Sequence, residues 1–214
     1  MSDFLNGIRR REKSVPAAVQ IVNTVGILLF GVVLGVFSKF LDCTASNELP
    51  VLIAYLDVRN FLGRFPIWIL LAVCISVYSS SPVRAGINVF VFFAGMVTSY
   101  YLYSNFVAGF FPKSYAMIWG GFTVISPFLA VLCWYAKGKS GVAMFLSAGI
   151  LACLFNLTFS YGWMYFDILS PLELLVFLCG FAVLRRRSVR ETLLMAGMGV
   201  VLAFMLSIAV PFRF

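Results

Sequence analysis

Long apolar runs separated by short polar turns dominate this chain. The runs cover residues 17–38, 65–80, 85–111, 115–136, 141–162, 169–184 and 191–211. A hydrocarbon core about 30 Å thick takes roughly 20 helical residues to cross. The second and sixth runs are short for a crossing, and the third is long enough to tilt or to project beyond the membrane. The pattern predicts an all-α fold, a polytopic transmembrane helical bundle of about seven helices. Residues 17–214 form one transmembrane domain behind a basic head at 1–16.

Composition strengthens this reading. Hydrophobic residues make up 62% of the chain and charged residues 11%, against about 25% charged in soluble domains. The net charge of +8 raises the question of nucleic acid. The basic residues lie at the ends of apolar runs and form no soluble basic domain, so they read as orientation signals and anionic-lipid contacts. The chain has no histidine, which removes Ser-His and Cys-His nucleophile pairs and histidine metal sites. Of its 5 cysteines, Cys74, Cys133, Cys153 and Cys179 lie within apolar runs, which argues for packing and against a disulfide framework. The first run exceeds a signal-peptide h-region and no A-x-A site follows it, so it is expected to stay as an anchor.

The charges between the runs give an orientation. Arg9, Arg10, Arg11, Lys13, Arg84, Lys137, Lys139, Arg185, Arg186, Arg187 and Arg190 fall on one side, eleven in all. Lys39, Arg59, Arg64, Lys113 and Arg213 fall on the other, five in all. The positive-inside rule then predicts the N-terminus in and the C-terminus out. The one long loop, 39–64, lies outside in this scheme. Its apolar stretch from Leu49 to Leu56 is expected to be interfacial or re-entrant, either as a lid or simply closing the bundle.

Small and polar residues supply the candidate chemistry. Gly31 and Gly35 form a G-x-x-x-G helix-docking stripe, with Thr24, Ser38 and Asp42 on the same face. The last run carries a similar stripe of Thr192, Ala196, Gly199, Ala203 and Ser207. Either stripe serves a partner subunit, a second copy of the chain, or packing within the bundle. Thr98, Tyr101 and Asn105 gather at the outer end of the third run. Asn156, Ser160, Trp163 and Asp167 gather at the outer end of the fifth, spaced to share one face if the helix runs that far. Together they read as an outward-facing ligand pocket, or as an interfacial aromatic belt. Glu173 is either an ion or cation contact or part of a capping box, with Ser170 as N-cap and Pro171 at the first helical position. Pro127 lies inside the fourth run and is expected to kink it. A weak repeat pairs Pro66 with Cys74, Pro127 with Cys133 and Pro171 with Cys179, as if three helical hairpins followed a separate first helix.

No phosphate-cradling loop, catalytic carboxylate pair, metal signature or cofactor motif is present, and nothing recommends an enzyme. The chain resembles small multi-pass membrane families of bacteria. In architecture it is also similar to the solute-binding S-components of energy-coupling factor vitamin transporters. That resemblance implies solute capture from outside in the Tyr/Asn clusters and partner docking through Gly31 and Gly35. The chain differs from those proteins in having seven predicted helices rather than six, and glycines where they use alanines. The expected function is binding, and transport, of a small solute in the bacterial inner membrane. The alternative is a non-transporting assembly, immunity or regulatory subunit that acts through helix contacts. The expected partners are the lipid bilayer, a small-molecule ligand and a membrane subunit, with no nucleic acid.

Overall fold

A computed structural model describes residues 2–10, 15–45, 47–162 and 164–209. Among these, the helices are α1 (Ser2–Ile8), α2 (Ala17–Cys43), α3 (Val51–Tyr55), α4 (Val58–Gly63), α5 (Phe65–Tyr78), α6 (Pro82–Phe106), α7 (Lys113–Ala136), α8 (Gly141–Thr158), α9 (Pro171–Leu184) and α10 (Val189–Ala209). A two-stranded antiparallel hairpin, β1 (Phe159–Tyr161) and β2 (Phe166–Ile168), joins α8 to α9. The helical architecture is the expected one, and the hairpin is an addition to it. Five helices, α2, α6, α7, α8 and α10, have 27, 25, 24, 18 and 21 residues and are long and apolar enough to cross a membrane. The chain is an integral membrane protein. The apolar helices α5 and α9 have only 14 residues each.

Local chemistry sets the ends. Ser81 accepts a hydrogen bond from the Arg84 amide at 3.2 Å, with Pro82 opening α6. Ser140 caps α8 through the Ala143 amide in the same way. The third run, expected to reach 111, stops as helix at Phe106, and Gly109 turns the chain at φ +71°. The first helix runs past residue 38 to Cys43 and takes Lys39 and Asp42 into α2. The rest of the 39–64 loop resolves into α3 and α4. Between them Asp57 adopts a left-handed φ of 50° and accepts a hydrogen bond from Asn60 Nδ2 at 2.9 Å. Val51, Leu52 and Tyr55 of α3 are exposed, as the apolar side of a membrane-surface segment would be.

The chain forms two compact units. One comprises Glu12–Gly63 and Tyr78–Val131 and holds α2, α3, α4, α6 and most of α7. Its backbone is the close pair α2 and α6. A Cβ added at Gly31 or Gly35 would overlap the backbone carbonyls of Phe92 and Met96. On α6, one added at Gly95 would lie 2.9 Å from the Leu28 carbonyl. Small residues let the backbones approach, and polar side chains bond across the seam. Ser99 Oγ donates to the Val32 carbonyl at 3.0 Å, Thr24 to Asn88 Oδ1 at 2.8 Å, and Arg84 to the Gln20 carbonyl at 2.7 Å. The docking stripe of α2 is therefore used within the chain.

The other unit comprises Met1–Arg11, Arg64–Val77 and Leu132–Phe214. Its core packs Val73 and Val77 of α5, Ala148 and Leu151 of α8, Leu184 of α9 and Met195 of α10. The small stripe of α10 is also spent here. A Cβ at Gly199 would lie 3.2 Å from Leu151 and 3.4 Å from the Ala148 carbonyl. The three-hairpin repeat holds only in part. Pro66 and Pro171 open the two short helices, whereas Pro127 lies inside α7.

The α2–α6 seam makes a direct prediction. Gly35→Leu forces a side chain into backbone, where overpacking costs about 1–3 kcal/mol or more. Gly26, on the same helix, has open space around it. The thermal midpoint of the detergent-solubilised protein should fall clearly for Gly35→Leu and stay near wild type for Gly26→Leu. Equal midpoints would show that the seam is not formed as described.

Candidate functional site

The site follows from where two short helices begin. At the end bearing the basic turns, cations hold helix C-termini together. Arg9 donates to the Val77 carbonyl of α5 at 3.0 Å and to the Trp134 carbonyl of α7 at 2.8 Å. Its guanidinium also stacks over the Trp134 ring, 4.3 Å from the centroid. Lys137 donates to the Val183 carbonyl of α9, and to the Arg185 carbonyl at 3.1 Å. Arg186 reaches the Ala136 carbonyl and Ser147 Oγ, each at 3.2 Å, and the Gly138 carbonyl. These bonds tie the C-terminal ends of α5, α7 and α9 together through shared cations. The 14 residues of α5 or of α9 span about 21 Å, roughly 9 Å less than a hydrocarbon core of about 30 Å.

A buried ion pair sits at those two N-terminal ends. Glu173, in the first turn of α9, is 0% exposed. Arg64, at the bend before α5, donates to Glu173 Oε1 at 2.8 Å and keeps 46% of its side chain exposed. The contact is one-pronged, and the buried Oε2 has no hydrogen-bond partner. The expected capping box is half formed. Ser170 Oγ accepts from the Glu173 amide at 3.4 Å, but the Glu173 carboxylate turns to Arg64 and does not reach back to the Ser170 amide. Arginine offers a full charge and a strong donor, which a neutral backbone N–H does not match. Thr158, fully buried at the end of α8, donates to the Glu173 carbonyl at 3.2 Å. The positive end of the α9 dipole also favours a carboxylate there.

The expected pocket residues fall into separate groups. Asn156 is buried and bonded at both ends of its amide: its Nδ2 donates to the Ala203 carbonyl at 2.9 Å, and its Oδ1 accepts from the Tyr161 hydroxyl at 2.7 Å. The helical face joining Asn156, Ser160, Trp163 and Asp167 does not exist, because α8 ends at Thr158. Ser160 and Asp167 instead stand opposite each other in the hairpin, with Asp167 exposed. Aromatic packing drives this change: Phe159 stacks on Phe166 at 5.1 Å and contacts Phe155 at 4.6 Å. Trp163 lies outside the described residues.

In the other unit, Thr98 and Asn105 are exposed while Tyr101 is buried. Tyr101 packs edge-on against Tyr100 and Phe111. A second ion pair belongs to the same unit. Lys39, with its side chain 4% exposed, pairs with Asp42 at 2.6 Å. Its ammonium lies 5.1 Å from the Tyr100 ring and 5.2 Å from the Phe110 ring. Tyr100 donates to the same Asp42 oxygen at 3.1 Å. Lys39 and Asp42 stand three residues apart on one helix, a spacing that favours pairing, and the burial of Lys39 depends on aromatic residues far along the chain. This group satisfies itself.

No family model, curated protein or solved structure matches this chain. The assignment of a site therefore rests on geometry, and only the Glu173–Arg64 pair leaves a fully buried charged residue with an unused acceptor among the described residues. Arg64 was not a sequence candidate. The available signal was its place directly before one short apolar run, matching that of Glu173 at the start of the other.

The asymmetric burial predicts an asymmetric mutant cycle. Arg64→Gln strands Glu173 without a counter-charge, a loss of about 3–5 kcal/mol for a buried pair. Glu173→Gln costs less, because half-exposed Arg64 can turn to water. The double variant should recover most of the loss of Arg64→Gln. Thermal unfolding of the four proteins checks this, and equal, additive losses would contradict the pairing.

Proposed function

We propose that this chain is a multi-pass protein of the bacterial cell membrane that binds a small solute from outside and takes part in its passage. The binding centre is Glu173 with Arg64. The carrying observation is the buried, unpartnered Glu173 Oε2 at the start of a helix too short to cross the bilayer. Polar groups at membrane depth are costly unless they pair or line a wet cavity. Irregular backbone at that depth is tolerated only against protein or water. A recess above α5 and α9 meets both conditions. The free carboxylate oxygen accepts an N–H or O–H of the solute. Arg64 is the displaceable partner, because it is held by one contact and borders solvent.

In this reading the bundle crosses the membrane seven times, with α5 and α9 as short crossings completed by flanking chain. The N-terminus is inside and the C-terminus outside. The eleven-to-five split of basic residues supports that sense, and it opens the recess outward. The protein then works by binding, without catalysis. Likeness in plan to energy-coupling factor S-components is consistent with solute capture, although Gly31 and Gly35 are occupied by α6 and do not serve as the docking face. The alternative of a subunit acting through that stripe loses its motivating feature for the same reason.

A thermal-shift panel tests the proposal. Small primary amines, quaternary ammonium ions, amino acids and neutral amides are added to the purified protein. A ligand at a hundredfold excess over its Kd should stabilise by about 2.7 kcal/mol, and Glu173→Gln should abolish the shift. If no donor-bearing solute stabilises the wild type, or if wild type and variant shift equally, the assigned centre is wrong.

A further inference from the structure

The basic end of the Arg64–Val77 and Leu132–Phe214 unit does more than close helix ends. Three separate chain segments bring their cations together there: the head with Arg9, the turn with Lys137 and Lys139, and the turn with Arg185, Arg186 and Arg187. Backbone and side-chain bonds interlock them. The Lys139 amide donates to the Ile8 carbonyl at 3.1 Å, Lys137 donates to the Arg185 carbonyl at 3.1 Å, and Arg186 donates to the Gly138 carbonyl. Gly138 is needed for this approach, because an added Cβ would overlap the Ile8 carbonyl.

Partial charges on the backbone do not neutralise such a cluster. Each helix terminus carries roughly half an elementary charge. The C-termini of α5, α7 and α9 contribute about −1.5, and the N-termini of α8 and α10 about +1. The backbone total is only about −0.5, against several full positive charges. Glu191 is exposed and opposes the positive field at Arg186. Burial pushes the Lys137 ammonium below the usual lysine range, and the positive charges of Arg186, Arg185 and Arg9 add to the effect. Donors also remain in place. Arg186 Nε is buried with no partner, and the ammonium of Lys137 has a third proton beyond its two carbonyl acceptors. Lys139, Arg185 and Arg187 are exposed around them.

We infer that this cluster is a binding site for a phosphate-bearing anion, supplied by the headgroup of an anionic phospholipid in the facing leaflet. Buried Arg186 Nε and Lys137 provide directed donors at the centre. Lys139, Arg185 and Arg187 provide the surrounding charge. Their position just beyond the ends of apolar helices is where a lipid phosphate lies. An anion there offsets mutual repulsion that the carbonyls leave in place, so its binding and the alignment of α5, α7 and α9 support each other. This inference is independent of the solute site, since it involves neither Glu173 nor Arg64.

The experiment uses the full chain in nanodiscs of phosphatidylcholine alone or with added phosphatidylglycerol, and native mass spectrometry to count retained lipids. The test variant neutralises Lys139, Arg185 and Arg187 to Gln. A control variant neutralises Arg59, Lys113 and Arg213 to Gln and removes the same charge from the other set of loops. Each basic side chain at an anionic surface contributes on the order of fivefold in affinity. The wild type and the control should retain phosphatidylglycerol, and the test variant should lose about a hundredfold in preference. If inorganic phosphate displaces the lipid at low concentration, the anion chemistry stands and its source is a soluble phosphate. If the wild type shows no preference for phosphatidylglycerol, or the test and control variants behave alike, the site does not exist.

Discussion

A helix that ends in or near lipid leaves carbonyls without partners, and here cations supply them. Arg9, Lys137 and Arg186 each bond backbone carbonyls at or just beyond the C-terminal ends of α5, α7 and α9. Four carbonyls per helix end lack an intrahelical partner, and side-chain donors serve several of them here. The short helices these cations tie down have only 14 residues each, and Glu173 and Arg64 meet at the opposite ends, where these helices begin.

The two units solve the packing problem differently. The α2–α6 pair relies on backbone contact, with glycines on both helices and polar side chains bonding across the seam. The unit around α8 relies on apolar interdigitation of Val73, Leu151, Leu184 and Met195. Each also contains one buried charge matched by a more exposed opposite charge, Lys39 with Asp42 and Glu173 with Arg64. They differ in completion. Lys39 is enclosed by aromatic rings, and Asp42 gains Tyr100 as a further donor. Glu173 keeps one oxygen free. A satisfied buried charge serves stability, whereas an unsatisfied one has a vacancy that a ligand can fill.

Much of the helical plan was legible in the sequence, because lipid as solvent forces long apolar runs and confines charges to their ends. The small stripes at Gly31, Gly35 and Gly199 were legible as packing faces, though periodicity does not say which helix receives them. The N-cap at Ser170 is legible locally, and those at Ser81 and Ser140 emerge from the structure. The site was less so. The apolar run ends at 162, and a shared face out to Asp167 requires the helix to continue; α8 stops at Thr158, and Phe159 and Phe166 stack in a hairpin instead. Asn156 looked available, yet its partner is a carbonyl 47 residues away. Glu173 and its cap Ser170 are legible locally, whereas Arg64, 109 residues away, is marked only by its place before a short apolar run. Long-range polar pairing is decided by helix lengths and their alignment, which short motifs do not encode.

The central proposal is that Glu173, buried beneath half-exposed Arg64, is reached from the outer side when Arg64 is displaced. The most direct measurement is the reaction of Glu173→Cys with a membrane-impermeant cationic methanethiosulfonate on intact cells, in a chain whose 5 native cysteines are replaced. The account predicts modification from outside without permeabilisation, with protection by any solute that stabilises the wild type. Modification only after the inner face is exposed, or none in a protein that still unfolds cooperatively, would contradict it.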